Sequence, residues 1–245
     1  MDKGYVLHSY PYLETSLILQ VWTEKHGRMG LVAKGARRPK SASRAVLIPF
    51  QPLSLDWFGR GELRTLKTAE PASPATPLAG EALMSAFYMN ELLLKLTTRD
   101  DPHEGLFTAY DTAVTDLRTL SRLKPEIPRL EPILRRFELR LLQELGYALE
   151  MTREASHGPA IAAEREYFYV VERGAVGATE RETPANAVRV RGQTLIDLER
   201  GWFEDAITVA QAKQLMRLLI NHSLNGQELA TRAIVRDLQR LEGEQ

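Results

Sequence analysis

Seven basic side chains lie within a stretch of twenty residues that contains no acid. They are Lys25, Arg28, Lys34, Arg37, Arg38, Lys40 and Arg44. A solvated basic face normally carries interspersed acids, because unopposed like charges repel one another. An acid-free run is the electrostatic footprint of a protein that binds a polyanion, and flexible lysines and arginines contact phosphates without specifying a base sequence. Residues 25–44, the basic segment, therefore predict a nucleic-acid-binding surface.

The motifs of the common enzyme classes are missing. There is no Walker A loop, since Lys34-Gly35 lacks the Gly-Lys-Ser/Thr ending, and there is no GxGxxG, GxSxG or HExxH pattern. The nearest approach to a metal site is the group Asp100-Asp101-Pro102-His103-Glu104, which we interpret as the acidic start of a helix. The sequence predicts a protein that is not an enzyme. A metal-dependent nuclease that uses this acidic group is an alternative.

The charge is divided unevenly along the chain. Of the 245 residues, 44% are hydrophobic, and the formal net charge is zero. Residues 1–80 hold eleven Lys and Arg against six Asp and Glu, whereas residues 81–245 hold 21 against 26. Only the first part is thus suited to a polyanion. The lack of cysteine excludes disulfides and thiolate metal sites, and no membrane span or signal peptide is found, so a cytoplasmic protein is expected.

Five short strands are predicted in the first 70 residues. They are Tyr5–Tyr10, Ser16–Thr23, Met29–Ala33, Leu53–Phe58 and Glu62–Lys67. Hairpin turns are expected at Gly27-Arg28 and at Gly59-Arg60-Gly61, and the slip between Leu63 and Leu66 indicates a bulge. Short strands joined by tight turns favour a small barrel over a sandwich.

The connection between the third and fourth strands is long and rich in small and basic residues. Its prolines and serines argue against regular structure there. Aromatic residues that could stack on bases lie near it, although core packing is favoured for each one alone. They are Tyr10, Tyr12, Trp22, Phe50, Trp57 and Phe58.

Helices dominate after a proline-rich linker at Glu70–Leu78. The predicted helices are Gly80–Thr97, Pro102–Leu120 capped by Asp100-Asp101, Pro132–Leu145, Thr208–Leu224 with a Thr208/Gln211 capping box, and about Glu228–Leu241. One strand at Tyr167–Val171 is expected to pair with Val188–Val190. We predict an α+β chain, with an OB-fold β-barrel domain at 1–78 and a mainly α-helical domain at 79–245 that holds a small irregular or β insertion around 151–190.

Several stretches, in order, resemble the bacterial RecO family of recombination mediators. The N-terminal patterns are Val6-Leu7-His8-Ser9, Glu14-Thr15-Ser16-Leu17 and Gly27-Arg28 followed by residues 31–37. Further on, Pro49–Leu53, Leu66–Glu70, Tyr88–Leu92, Arg135–Leu139 and Leu145–Tyr147 fit as well. The resemblance covers about residues 4–150; beyond 150 it rests mainly on helix placement.

The resemblance implies an N-terminal OB-fold, a helical C-terminal domain and a role in recombinational DNA repair. Such proteins bind single- and double-stranded DNA, anneal complementary strands and, with RecR, help to load RecA onto strands coated by single-stranded DNA-binding protein. Many relatives hold zinc with four cysteines in the region matching 150–185. Since this chain has no cysteine, zinc is not expected, and no other cofactor is.

The resemblance also implies that the helical domain receives the acidic C-terminal tail of single-stranded DNA-binding protein. Arg135, Arg136 and Arg140 are the candidates, although periodicity alone indicates equally well a helix surface balanced by Glu131 and Glu144. Glu138 and Glu144 lie at helical spacing from Arg135 and Arg140 and are expected to form surface ion pairs with them. Two further alternatives stay open. One is an RNA-binding OB module, since charge does not separate DNA from RNA. The other is a structural interaction protein with an incidental basic loop.

Overall fold

The computed structural model describes residues 1–74, 76–122, 130–147, 149–178, 184 and 186–234. The chain forms two compact units, Met1–Pro125 together with Leu229–Gln245, and Glu126–Glu228. By contacts, the helices that directly follow the barrel therefore belong with the barrel. The sequence-based bounds of 1–78 and 79–245 stay a prediction. None of the described helices is both long and apolar enough to cross a membrane.

The first unit is built on a closed five-stranded barrel. Its strands are β1 Asp2–Tyr12, β2 Ser16–Thr23, β3 Gly27–Ala33, β4 Leu53–Phe58 and β5 Leu63–Pro71. They are arranged in the order β1-β2-β3-β5-β4, and β4 pairs back onto β1 to close the barrel. Only the β3–β5 pair is parallel. The predicted OB-like barrel is confirmed, and all five predicted strands are present.

Alternation along β2 and β3 builds the barrel core. Leu19, Val21, Met29 and Leu31 are fully buried at every second position, as a period of two requires. On β5 the register slips by one residue, because Asp56 pairs with Thr68 while Trp57 pairs with Leu66. β5 therefore has a bulge, but it lies at Lys67 rather than between Leu63 and Leu66 as predicted.

The long connection between β3 and β4 contains a short helix, α1, at Ser43–Val46. The expectation that this connection has no regular structure was wrong for these four residues. Ala36 and Leu47, on either side of the basic turns, are buried and belong to the barrel core. Their burial fixes both ends of the connection, which explains why it takes up a defined course.

Helices α2 (Gly80–Leu96) and α3 (Glu104–Arg122) complete the first unit, close to their predicted positions. The predicted N-cap of α3 was wrong, since the helix begins at Glu104 rather than at Pro102. The Asp100 carboxylate instead pairs with Arg64 at 2.8 Å, and Asp101 accepts a hydrogen bond from the Thr98 hydroxyl at 3.0 Å. Of the predicted final helix, residues 230–234 are helical, and the remainder lies outside the described residues.

The described residues of the second unit form three helices and a small sheet. The helices are α4 Leu130–Glu144, α5 Gly192–Arg200 and α6 Ala206–Ser223, and the strands are β6 Glu166–Val170, β7 Gly174–Gly177 and β8 Ala187–Arg191. The predicted pairing of β6 with β8 is confirmed, whereas β7 and α5 were not predicted. The prediction of a Thr208/Gln211 capping box at the start of α6 was wrong. Asp205 caps the helix by accepting from the Thr208 N–H, and Gln211 accepts from the Thr194 hydroxyl.

Candidate nucleic-acid interface

The basic side chains of the β3–β4 connection lie on its outer surface. We call residues 34–47 the basic loop. It exposes Lys34, Arg37, Arg38, Lys40 and Arg44 to solvent. Within the part of the chain that the structure describes, no carboxylate lies within 4.0 Å of any of these five cations. Their charge is therefore not neutralised locally and is open to an external anion.

Backbone hydrogen bonds hold the loop in successive turns. The Arg38 N–H donates to the Gly35 carbonyl at 3.1 Å, and the Ser41 N–H donates to the Arg38 carbonyl at 3.0 Å. Gly35 has a φ of +69°, in the left-handed region that favours glycine. The turn that Gly35 permits places Arg37 and Arg38 side by side at the surface.

The loop is fastened to the turn between β1 and β2. The Arg37 N–H donates to the Thr15 carbonyl at 2.8 Å, and the Arg37 guanidinium reaches the Leu13 carbonyl at 3.4 Å. The turn carries Leu13, which is 74% exposed, and an exposed acid, Glu14. The basic loop and this turn thus form one continuous surface of the barrel.

Of the other two predicted contact residues, Lys25 lies in the β2–β3 turn and Arg28 is the second residue of β3. Lys25 is exposed, and its backbone N–H donates to the Asp2 carboxylate at 3.3 Å. Arg28 is half-buried and donates to the Thr97 carbonyl at 2.7 Å. Burial, together with the nearby Arg99, lowers the pKa of Arg28. The Arg28 guanidinium is therefore engaged within the protein and half-buried, whereas the cations of the basic loop are exposed.

The six candidate aromatic residues divide into two groups. Trp22 and Phe50 are buried, and Trp57 is half-buried with its ring edge-on to His26 at 5.2 Å. Core packing therefore accounts for these three. The other three rings are largely open to solvent, with exposed fractions of 49% for Tyr10, 37% for Tyr12 and 57% for Phe58.

The three candidate arginines for a partner's tail differ in their surroundings. Arg135 is buried and pairs with buried Glu138 at 2.9 Å, so the expectation of a surface ion pair was wrong there. Arg140 pairs with Glu144 at 2.6 Å and is half exposed. Arg136 is exposed and is the only one of the three without a carboxylate partner among the described residues.

Arg136 lies beside two aromatic residues that the sequence reasoning missed. Its guanidinium lies over the Phe203 ring, 5.6 Å from the centroid, and donates to the Gly201 carbonyl at 3.4 Å. The neighbouring Trp202 is 56% exposed. A Trp-Phe pair directly after Gly201, which ends α5 at a φ of +64°, was the signal available in the sequence. The arrangement combines a cation with an apolar surface.

The acidic group at 100–104 does not converge on one point. Asp100 faces Arg64, whereas Asp101 faces Thr98 and His103. Across the described residues, no three His, Cys, Asp or Glu side chains come together as a metal ion would require. Nothing in the geometry of this group favours the nuclease alternative.

Both parts of the chain match family models. Residues 1–75 match the model described as "Recombination protein O N terminal", and residues 78–233 match "Recombination protein O C terminal". Similar curated proteins carry the name "DNA repair protein RecO". That of Azoarcus sp. (strain BH72) is 48% identical over 97% of this chain and 95% of its own length.

Two further relatives cover similar shares. The protein of Nitrosospira multiformis is 46% identical over 98% of this chain and 96% of its own length, and that of Aromatoleum aromaticum is 45% identical over the same shares. Family models that together cover nearly the whole chain, and relatives at this identity, agree with the OB-like barrel and the helical region behind it. The chain belongs to the RecO family of DNA repair proteins.

Proposed function

We propose that this chain is a DNA-binding recombination mediator that makes and breaks no covalent bond. It binds single- and double-stranded DNA through the basic loop, anneals complementary strands, and works with RecR in loading RecA onto strands coated by single-stranded DNA-binding protein. The observation that carries the proposal is the set of five exposed cations on the basic loop, which have no described carboxylate within 4.0 Å. We expect the protein to act in the bacterial cytoplasm, at the nucleoid.

Electrostatics explains how such a surface promotes annealing. Two complementary strands repel each other through their phosphates, and a cluster of exposed cations neutralises part of that repulsion while it concentrates DNA at the surface. Because Ala36 and Leu47 are buried in the barrel core, little ordering of the loop is needed when DNA binds. Lys34, Arg37 and Arg38 then contact phosphates without selecting a sequence.

The salt dependence of binding tests this proposal. Full-length chain is titrated with a single-stranded oligonucleotide over a series of salt concentrations, and each phosphate contact contributes about −0.7 to the log–log slope. The variant Arg37→Ala/Arg38→Ala/Lys40→Ala/Arg44→Ala is expected to flatten the slope by about two units or more. A matched control, Arg153→Ala/Arg173→Ala/Arg200→Ala/Arg217→Ala, removes four exposed charges from the second unit and leaves the slope as it was. An equal slope in wild type and loop variant contradicts the proposal.

Matched DNA and RNA oligonucleotides distinguish the RNA-binding alternative. Tighter binding of RNA than of DNA at equal salt and length would overturn the assignment to DNA. Annealing of complementary strands in the presence of single-stranded DNA-binding protein is the functional readout. We expect the loop variant to lose annealing in proportion to its loss of affinity.

For the partner's tail, the surroundings of Arg136 support a binding site better than those of Arg135 or Arg140. An acidic and apolar peptide needs a cation beside an apolar surface, and Arg136 lies beside Phe203 and the exposed Trp202. Arg136→Ala is expected to weaken binding of the tail peptide about tenfold or more, the size of a charge-assisted hydrogen bond. Arg217→Ala, on the exposed surface of α6, serves as the control. Unchanged peptide affinity in Arg136→Ala contradicts this assignment.

A further inference from the structure

Three ring side chains point outward from the same strand of the barrel. His8, Tyr10 and Tyr12 occupy alternate positions of β1, and all three are exposed. Side chains two apart on a strand share a face, at a spacing of about 6.8 Å. The rings of His8 and Tyr10 meet edge to face, with centroids 4.4 Å apart. We call this set the ring ladder.

A bulge in β1 is the reason that the ladder faces outward. Val6 pairs with Val21, but the next pair is His8 with Gln20, so Leu7 is an extra residue on β1. Val6 belongs to the barrel core. Without the bulge, the even-numbered residues after Val6 would also face the core, because a one-residue shift exchanges the two faces of a strand. With it, the rings face solvent.

The strands beside the ladder extend the same outer face. Tyr10 pairs with Ile18 on β2, and Ile18 pairs with Val32 on β3. Both Ile18 and Val32 are half-buried, and Lys34 follows β3 directly. The face therefore has rings on one side, an apolar centre and a cation on the other. Outer surfaces of strands 2 and 3 are where OB-folds bind oligonucleotides.

The basic loop lies next to the ladder in the same unit. The loop is joined to the β1–β2 turn through Arg37, which donates to the carbonyls of Leu13 and Thr15. This turn directly follows Tyr12, the last ring of the ladder. Exposed rings next to unneutralised cations match a single strand, whose bases stack on rings while its phosphates meet the cations. The only acid on this turn, Glu14, lies at its tip.

We propose that the ring ladder of His8, Tyr10 and Tyr12 is a stacking surface for unpaired nucleobases. This inference rests on the proposed function, since it requires that the chain binds DNA. Base faces are available in a single strand and are already stacked within a duplex. The ladder therefore selects single strands, whereas the basic loop binds the phosphates of either form. Two surfaces of one barrel thus divide the contacts with bases from the contacts with phosphates.

An abasic strand isolates the stacking contribution. Full-length chain is titrated with oligo-dT and with an abasic strand of the same length and charge, and in parallel with a duplex. Wild type is expected to prefer oligo-dT over the abasic strand. Tyr10→Ala/Tyr12→Ala is expected to lose that preference, at about 5- to 150-fold in affinity for each base unstacked. Its duplex affinity and salt slope stay at wild-type values.

Conservative and matched variants complete the design. Tyr10→Phe/Tyr12→Phe keeps both rings and is expected to keep the preference for oligo-dT. Leu13→Ala removes a 74% exposed apolar side chain that is not a ring from the β1–β2 turn, directly after the ladder, and is also expected to keep the preference. A wild type that binds abasic and dT strands equally, or an alanine variant that retains the preference, overturns the ladder. No binding of either strand, even at low salt, would instead contradict the proposed function itself.

Discussion

The side-chain amide of Asn90 on α2 donates a hydrogen bond of 2.8 Å to the carbonyl oxygen of Leu7, the extra residue of the β1 bulge. Asn90 is only 2% exposed, and its amide oxygen accepts from the buried Tyr110 hydroxyl at 2.6 Å. A bulge disrupts the regular ladder of backbone hydrogen bonds, and a buried carbonyl needs a partner. Asn90 therefore stabilises the irregularity that turns the ring ladder outward.

Replacing Asn90 tests this relationship. Asn90→Leu removes a donor from the Leu7 carbonyl and an acceptor from the Tyr110 hydroxyl, and both groups are buried. We expect the free energy of unfolding, measured in urea, to fall by about 2 kcal/mol or more. Glu81→Gln, on the exposed first turn of α2, should change it by less than about 0.5 kcal/mol. A loss of similar size in both variants would mean that Asn90 has no special structural role.

Two glycines at hairpin turns should respond very differently to alanine. Gly27 has a φ of +65°, and an added Cβ would lie 1.9 Å from the Asp101 carbonyl oxygen. Gly61 has a φ of +90° and open space around it. Gly61→Ala should cost about 1–2 kcal/mol from backbone strain alone. We expect Gly27→Ala to cost at least about 2 kcal/mol more, as read from urea unfolding. Equal losses of unfolding free energy in the two variants would show that the backbone near Asp101 shifts to accommodate the added methyl group.

Arg28 and Arg38 belong to the same basic segment and should have separable roles. Arg28→Ala removes the hydrogen bonds to the Thr97 carbonyl and is expected to lower the melting temperature while it leaves the salt slope of DNA binding unchanged. Arg38→Ala is expected to leave the melting temperature unchanged and to flatten the slope by about 0.7. A flatter slope for Arg28→Ala would place Arg28 at the DNA after all.

The buried pair of Arg135 and Glu138 should behave as a coupled unit. Arg135→Met leaves the Glu138 carboxylate buried without its cation, and we expect a loss of about 3–5 kcal/mol in the free energy of unfolding. Arg135→Met/Glu138→Leu should lose less than the sum of the two single variants. Arg140→Ala, which breaks a half-exposed pair with Glu144, should lose less than about 1 kcal/mol. Additive losses in the double variant contradict the coupling.

The Glu91 carboxylate holds residues 229–234 against α2, and we expect this attachment to weaken in acid. Its carboxylate accepts from the Ala230 N–H at 2.8 Å, from the Thr231 N–H at 3.0 Å and from the Thr231 hydroxyl at 2.7 Å. Burial acts to raise the pKa of Glu91, but these hydrogen bonds and the nearby Lys95 together outweigh it, so the net pKa is lowered.

Because the folded-state pKa lies below the unfolded value of about 4.3, the charged carboxylate stabilises the fold fully above that pH. The contribution is lost as the pH falls through the folded-state pKa. Urea unfolding of wild type and Glu91→Gln should therefore differ at pH 7 and converge in acid. If the difference in unfolding free energy between wild type and Glu91→Gln stays constant down to pH 2, it does not come from the charge on Glu91.

Local patterns were sufficient to predict the barrel strands and most helices. Ser16–Thr23 and Leu53–Phe58 have the predicted bounds, because alternation and glycine turns act within a few residues. β7 at Gly174–Gly177 is short and half glycine, and α5 begins at Gly192 directly after a strand, so neither carries a local signal. The burial of Gly192, where an added Cβ would lie 1.9 Å from the Ala162 carbonyl oxygen, explains a glycine at that start.

The site depended on contacts that the sequence does not display. The absence of acids predicted the exposed cations of the basic loop, but the partner of Arg28 lies 69 residues away in the sequence. Spacing predicted that Arg135 pairs with Glu138, whereas burial of that face of α4 depends on tertiary packing. The outward direction of Tyr10 and Tyr12 follows from the bulge at Leu7, and no local pattern marks that bulge.

The contact of Glu91 with Ala230 and Thr231 also bears on synthesis. The barrel unit is discontinuous, because residues 229–234 belong with Met1–Pro125 although the ribosome makes them after Glu126–Glu228. Chains fold as they emerge, at about 5–20 residues per second, and units made of one continuous stretch need only their own residues. The barrel begins first but is finished last. A chain that ends before residue 229 should therefore contain every residue of the second unit but a barrel unit whose α2 surface is still uncovered.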